Sequence, residues 1–409
     1  MSWESVVLGD VTDTLKGFAF KSTNYSESGI KIVRVSDFTS DSISDIDIKH
    51  YPKDSVDKYQ KYLLKRDDVL IQTVGSWPNN ASSVVGKVVK VPKALDGSLL
   101  NQNIVKIYPK SNQTLDNKFL YYCLKSDSFQ DHNVGNAVGA ANQASITLES
   151  IKTYCFNLPP LSIQRRIADI LSAYDDLIEN NQRQIKLLEE AAMRLYREWF
   201  VFMRFPGHES VRIEDGVPEG WKYQELKEIA DIVMGQSPDS SYYNSDGDGL
   251  PFHQGVSNYG ERYVSNVEYC SVEKRCAVPN SILFSVRAPV GRINLTREKV
   301  VIGRGLAAIN HKLGKQSYLF YLLKSHFSVE DMIGNGSVFS AVTKSDLEDQ
   351  KLLTPSFDLV EVFSRIVEPM DAKINSLDMQ IERLQKARDA LLPRLMNGGE
   401  GLKLEGGAV

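Results

Sequence analysis

The sequence predicts an α+β fold: two repeated mixed α/β domains separated by two long antiparallel coiled-coil helices, with a pseudo-two-fold relation between the copies. Three observations carry this expectation. The chain repeats itself with a period of about 200 residues, far too long for a solenoid. Each copy opens with short β-branched runs broken by Gly, Pro, Asn and Asp. Each copy closes with a long segment whose apolar residues recur every three or four positions.

The repeat is legible residue by residue. Trp3, Leu8, Val11, Asp13 and Gly17 recur as Trp221, Leu226, Ile229, Asp231 and Gly235 at one offset. Phe119-Leu-Tyr-Tyr-Cys-Leu-Lys-Ser126 matches Tyr318-Leu-Phe-Tyr-Leu-Leu-Lys-Ser325. Gly135-Asn136 matches Gly334-Asn335, Ile146-Thr147 matches Val342-Thr343, and Pro159 matches Pro355. The offset shrinks along the repeat, so the first globular part is longer by loop insertions.

In the first copy, strands are expected over 30–35, 69–74, 84–91 and 104–108, with a helix over 117–125. In the second, strands are expected over 281–286, 300–302 and 306–309, with a helix over 316–324.

The first long helix is expected to start near Pro160 or Ser162 and meets no Pro or Gly before Pro206. Its stripe is Ile167, Leu171, Tyr174, Ile178, Ile185, Leu188, Ala192, Leu195 and Trp199, interrupted by Asn181. The second carries Phe363, Val367, Met370, Ile374, Leu377, Ile381, Leu384, Leu391 and Leu395 in the same register, with Arg388 the exception. Two narrow, matched stripes read as coiled-coil seams that pair with each other. A helix lying on its own domain's core is the plainer alternative. Asn181 either fixes the register of the pair or is solvated. Antiparallel pairing would place the globular parts at opposite ends of a spacer of roughly 48 Å. The boundaries expected are a domain at 1–157, a spacer helix at 158–203, a linker at 204–220, a second domain at 221–355, a second spacer helix at 356–397 and a tail at 398–409.

Composition narrows the function classes. The 409 residues are 42% hydrophobic and 24% charged, as in ordinary soluble proteins. No apolar run approaches the roughly 20 residues of a membrane span, and no signal peptide is expected, since Met1-Ser2-Trp3-Glu4 lacks the basic and apolar regions of one. Cys123, Cys155, Cys270 and Cys276 form no CxxC pair, so a cytoplasmic protein without a zinc ribbon or disulfide framework is expected. The formal net charge is −4, so any affinity for a phosphate backbone needs locally clustered cations or a basic partner.

Signatures of catalysis are weak. Around Gly86-Lys87 a P-loop fails at both ends, because Ala81 replaces its first Gly and Val88 its final Ser/Thr. Asn157-Leu-Pro-Pro-Leu161 has the wrong spacing for the Asn-Pro-Pro-aromatic motif of adenine methyltransferases and precedes a helix start, where prolines belong. Gly303-Arg-Gly-Leu-Ala-Ala308 matches G-x-G-x-x-A, but strand rather than helix is expected to follow it. The six histidines have no metal-like spacing, and no catalytic residue or metal site is expected.

Several phrases, in order, resemble one family. They are Leu158-Pro-Pro-Leu-Ser-Ile-Gln-Arg-Arg-Ile-Ala-Asp-Ile-Leu171, Pro218-Glu-Gly-Trp221, Arg287-Ala-Pro-Val-Gly291 and Leu392-Pro-Arg-Leu-Met-Asn-Gly398. With the repeated domain–helix plan, they resemble the specificity (S) subunit of type I restriction-modification enzymes over nearly the whole chain. The second helix departs at its start, with Thr354-Pro-Ser-Phe357 in place of Leu158-Pro-Pro-Leu161. The resemblance implies two target recognition domains, each reading one half of a bipartite double-stranded DNA target. It implies helices that set the gap and dock two modification methyltransferase subunits, which use S-adenosylmethionine to methylate adenine. Motor-nuclease restriction subunits would join for cleavage, and this chain would carry no cofactor and no catalysis. A scaffolding protein and an enzyme with an unfamiliar site are the rival readings.

The resemblance transfers few DNA contacts, so these are chosen by chemistry. Arg, Lys, Asn and Gln in exposed loops suit base edges, and Lys, Arg and Ser suit phosphates. In the first domain the candidates are Lys16, Lys21, Arg34, Gln72, Ser76, Asn79, Asn80, Lys87, Asn142 and Gln143. In the second they are Gln236, Ser237, Tyr242, Tyr243, His253, Gln254, Arg287, Arg292 and Arg304. Lys87 and Arg292, each after a Gly, are the best-matched pair. Trp3 and Trp221 sit beside apolar neighbours and read as core.

Overall fold

The computed structural model describes residues 3–39, 41–78, 84–140, 143–327 and 341–397. Gly334-Asn335 of the repeat lies outside these residues, as do Asn79, Asn80 and Asn142. The chain divides into two compact units. One holds residues 1–182 and 379–409, the other residues 183–378. Each unit therefore contains one globular part and about half of each long helix.

The globular parts share a topology. The first centres on a four-stranded antiparallel sheet in the order Thr12–Lys16, Ile104–Pro109, Val69–Gln72, Val88–Lys90. The second has the same sheet from Ala230–Met234, Leu306–His311, Ile282–Ser285 and Ile293–Leu295. Each also has a parallel pair, Ile30–Val33 with Leu99–Leu100 and Leu250–His253 with Val300–Ile302. Each is closed by its first and last strands, Glu4–Val7 with Cys155–Leu158 and Lys222–Glu225 with Lys351–Thr354. That closure delivers the chain to the start of a long helix.

All four residues of Val69–Gln72 are buried because both faces of the sheet are covered. Val69 and Ile71 pack with the helix Asn117–Leu124, while Leu70 packs with Val33, Phe38 and Val89 on the opposite face. Asp116 caps that helix by accepting from the backbone N–H of Lys118 and Phe119. Thr147 and Thr343, matched in the repeat, each cap a short helix. Trp3 packs against the first core and Trp221 is buried beside Phe200 and Phe205, so neither is free to stack on a base. The repeated Gly17 and Gly235 have a steric cause. A Cβ there would lie 1.9 Å from the Asn101 carbonyl oxygen and 2.1 Å from that of Gly303.

The first long helix runs Leu161–Tyr196 and continues through a π-helical turn, Arg197–Val201; the second runs Phe357–Met396. Both units show them antiparallel. In the first unit, Ile167 and Leu171 near one helix's start share a core with Leu391, Leu395 and Met396 near the other's end. In the second unit, Tyr196, Trp199 and Phe200 near the first helix's end pack on Phe363 near the second's start.

The stripe is buried at Ile167, Leu171, Ile178, Asn181, Ile185 and Ala192, and at Phe363, Val367, Ile374, Leu377 and Ile381. Tyr174, Leu188, Leu195, Met370, Leu384 and Leu391 are only half-buried. Asp175 and Tyr196, next in sequence to Tyr174 and Leu195, are the buried residues at those turns. A straight helix drifts about 20° per heptad relative to a strict seven-residue repeat, which moves burial to a neighbour. Asn181 is buried, and its Nδ2 donates to Gln380 across the helix pair at 3.4 Å. Arg388, read from sequence as a break in the stripe, is buried too, because carboxylates surround its guanidinium.

Candidate nucleic-acid interface

The sheet register gathers many of the candidates at one end of each domain. In the second domain, Met234 pairs with Ala307, Ser285 with Leu306, and Phe284 with Ile293. Three connections meet there: the segment from Gly235 to Tyr242, the Gly303–Gly305 turn, and the loop from Val286 to Arg292. Hydrogen bonds tie them together. Gln236 N–H donates to Ile302 O at 2.9 Å, and Val286 N–H to Gly305 O at 3.0 Å. Ser237 Oγ donates to Gln254 Oε1 at 2.8 Å and accepts from the backbone N–H of Arg304 at 3.2 Å. Gln236, Gln254, Arg287, Arg292 and Arg304 are exposed around this point, and Ser237 is half-buried. Tyr242 is exposed, while Tyr243 packs on Phe252 and donates to Pro238 O at 2.9 Å. Burial raises the Tyr243 pKa, and Arg304 acts against that rise.

The Gly303-Arg-Gly305 segment is a turn between strands Val300–Ile302 and Leu306–His311. No helix follows, so the dinucleotide fingerprint lacks the helix N-terminus that holds its pyrophosphate. The turn instead presents Arg304.

In the first domain the corresponding end carries Lys16, paired with Val105, and Gln72, paired with Ile104. Lys16, Lys21 and Gln143 are exposed and Ser76 is half-buried. Gln143 pairs with Ala140 in a small hairpin whose next strand, Val74–Gly75, leads into Ser76. Trp77 Nε1 donates to Ala140 O at 3.0 Å and pins that hairpin.

Other candidates are engaged elsewhere. Gln72 is fully buried and donates to Val74 O at 2.9 Å, so it braces a strand end instead of facing outward. His253 is buried, with Nε2 3.1 Å from Asn266 Oδ1; burial lowers its pKa against the opposing hydrogen bond. Arg34 closes on Asp37 with bonds of 3.1 and 2.6 Å, which occupies its guanidinium. Lys87 and Arg292 do sit in one conserved turn geometry. Gln72 N–H donates to Lys87 O and Ser285 N–H to Arg292 O, both at 2.9 Å. Their side chains differ. Arg292 is exposed, whereas Lys87 turns back to Thr39 O at 3.1 Å and burial, then Lys125, lowers its pKa.

Sequence reasoning missed Gln102. It stands where Arg304 stands in the second domain, one residue after the oxygen that crowds the repeated Gly, and it is exposed. The signal was present in the alignment of Asn101-Gln-Asn with Gly303-Arg-Gly. Arg275, whose carbonyl accepts from Ile302 N–H at 2.9 Å, is a second exposed cation beside the turn. This arrangement supplies donors and cations suited to base edges and phosphates.

Comparison with known proteins gives one direction. Residues 1–190 and 218–386 each match the family model for the type I restriction modification DNA specificity domain. A Methanocaldococcus jannaschii chain assigned as the specificity subunit of the type I restriction enzyme MjaX is 31% identical, covering 97% of this chain and 93% of its own. The MjaIX specificity subunit of the same organism is 25% identical over 73% of this chain and 72% of its own. The crystal structure of the type I restriction-modification S subunit from M. genitalium shares the fold, with a TM-score of 0.60 and 18% identity, covering 97% of this chain and 96% of that one.

Proposed function

This chain belongs to the type I restriction-modification DNA specificity family and carries the family's domain twice, and from that premise we propose how it divides its work. It is a DNA-recognition subunit, and each globular domain reads one half of a bipartite double-stranded target. The reading surface is the sheet end that carries the Gly235–Tyr242 segment, the Gly303–Gly305 turn and the Val286–Arg292 loop, together with its first-domain counterpart. The observation that carries this is the repetition: the same three connections converge in both copies, built on matched strands.

The side chains on those connections differ between copies, as Gln102 against Arg304 shows. One scaffold with two sets of reading residues suits two unlike half-sites. Lys16, Lys21, Gln143, Gln236, Tyr242, Gln254, Arg287, Arg292 and Arg304 are the contacts that exposure favours, with the half-buried Ser76 and Ser237 beside them and Asn79, Asn80 and Asn142 as candidates outside the described residues.

The chain itself performs no chemistry in this reading. Two methyltransferase subunits dock on the helices and methylate adenine with S-adenosylmethionine; motor-nuclease subunits add restriction. The complex works on DNA in the cytoplasm. Among the described residues, no helix is long and apolar enough to cross a membrane. With an overall formal charge of −4, phosphate contact rests on locally clustered cations such as Arg275, Arg292 and Arg304, on a basic partner subunit, or on both.

The test is reconstitution. The purified chain alone should neither methylate nor cut DNA, and adding its methyltransferase should give sequence-specific adenine methylation at a split target. Methyl transfer by the isolated chain would overturn the assignment.

A further inference from the structure

Each globular domain rests on the long helices of its own unit through a Tyr–Asp bond, and the two bonds are equivalents. Tyr122 donates to Asp175 at 2.6 Å, and Tyr321 donates to Asp371 at 2.8 Å. Around this shared feature the charges are exchanged. In the first unit, Asp41 comes from a turn of the globular domain and accepts from Arg388 of the second helix at 2.6 Å. In the second unit, Arg262 comes from a turn of the globular domain and donates to Glu189 of the first helix at 3.1 Å.

The two turns are the same turn. Phe38 bridges Ile43 as Tyr259 bridges Val264. Thr39 N–H donates to Ser42 O as Gly260 N–H donates to Tyr263 O, at 2.9 and 3.1 Å. Ser44 N–H donates to Asp37 O as Ser265 N–H donates to Asn258 O, at 2.8 and 2.9 Å. One register satisfies all three pairs, and in it Asp41 and Arg262 hold the same place. The facing helices are exchanged as well. In the helix repeat Glu189 corresponds to Gln385, and Ala192 to Arg388. So the first seat offers a helix cation to a domain carboxylate, and the second offers a helix carboxylate to a domain cation.

We propose that this exchange is a positional key, which makes each recognition domain compatible with its own seat on the helices and incompatible with the other. Arg262 is 4% exposed, and Arg388 and Asp175 are each 6% exposed at the side chain, so neither lock can rely on water to screen a mismatch. The second domain moved to the first seat would put its arginine beside Arg388, with two guanidiniums competing for Asp175. The first domain moved to the second seat would put Asp41 beside Glu189 and Asp371; its own domain's Lys125, at 2.6 Å, would move with it, but Ala192 would not replace the helix arginine it also faces. Leaving a buried charge without its partner is strongly destabilising. The key thus opposes exchange of domains between positions, a property separate from reading DNA.

The experiment is thermal unfolding of the full-length chain without DNA, so its outcome is independent of the reading function. Asp41→Arg alone should lower the first unit's midpoint by roughly 5–10 °C. Asp41→Arg with Gln385→Glu and Arg388→Ala installs the second key in the first seat and should recover most of that loss. The helix pair Gln385→Glu and Arg388→Ala alone should be less stable than the triple variant. A triple variant no more stable than Asp41→Arg would overturn the proposal. A second arm exchanges residues 1–157 with 221–355, with and without Glu189→Gln, Ala192→Arg, Gln385→Glu and Arg388→Ala. The four helix substitutions should raise the exchanged chain's midpoint and lower the parent's. Equal stability of the exchanged chain with and without them would also overturn it.

Discussion

The Tyr122 hydroxyl donates to the Asp175 carboxylate at 2.6 Å, joining the globular domain's own helix to the long helix on which that domain rests. Burial alone would raise the carboxyl's pKa. Lys90 at 2.8 Å and the hydrogen bonds from Lys90, Tyr122 and Arg388 outweigh burial and hold it below the ordinary carboxylate value. A depressed folded-state pKa contributes stability that is complete above the unfolded-state value and lost as pH falls through the folded one.

The first unit should therefore lose stability as pH drops below about 4. Asp175→Asn should remove that acid-dependent part and cost about 3 kcal/mol at neutral pH, because Lys90 loses its carboxylate and Arg388 loses one of its own while keeping Asp41. Tyr122→Phe should cost about 1.5 kcal/mol, as expected for a hydrogen bond to a charged group. Urea unfolding from pH 3 to 7 checks both. A variant Asp175→Asn with the parent's pH profile would remove Asp175 from this role.

Arg304 and Arg292 should act on one half of the target only. Alanine at either position should weaken binding of the reconstituted complex by roughly ten- to a hundred-fold if the contact is a bidentate base pairing. Gln102→Ala should do the same for the opposite half. Methylation of target libraries randomised in one half at a time distinguishes base contacts, which relax one position, from phosphate contacts, which weaken all sequences alike.

Replacing residues 1–157 with a related domain that keeps Asp41, Tyr122 and Lys90 equivalents should change one half of the recognised sequence and leave the other unchanged. The measurement is the methylated sequence before and after replacement. Simultaneous change in both halves would show that the domains do not read independently.

The helix pair should act as the ruler between half-sites. Inserting seven residues into each helix, near Asn181 and Leu377, returns the apolar stripe to the same face and adds about 10 Å. The preferred gap should grow by up to about 3 base pairs. Some loss of affinity is expected because DNA twist between the halves changes too. Methylation of targets with graded gaps reads the result; an unchanged preferred gap in a folded, active complex would refute the ruler. Asn181→Leu should raise stability, and if its bond to Gln380 fixes the register it should also loosen the preferred gap.

Local periodicity and self-similarity were enough for the plan of this protein. The apolar spacing from Ile167 to Trp199 and from Phe363 to Leu395 defines two long helices, because a buried stripe must recur every three or four residues. The matched pairs Trp3/Trp221, Gly17/Gly235 and Thr147/Thr343 announce one fold used twice, and each is explained by a contact or a cap found in both copies. The strand reading of Leu306 onward, against the glycine fingerprint before it, was also legible, since β-branched and small apolar residues continue past the turn.

Tertiary structure decided which polar residues are free. Gln72, Arg34 and His253 have the chemistry of DNA readers, but Gln72 and His253 are buried and Arg34 is closed on Asp37. Their partners are set by pairing and turns that composition does not encode. Arg388 looked like a flaw in a seam because the two buried carboxylates that hold it, Asp175 and Asp41, lie 213 and 347 residues away in sequence, beyond the adjacent Asp389. The exchange of Asp41 for Arg262 is invisible until two turns of different sequence are superposed by their hydrogen bonds. Periodic burial is a local property and can be read along the chain. Charge compensation is a property of neighbours in space, and only the folded chain assigns them.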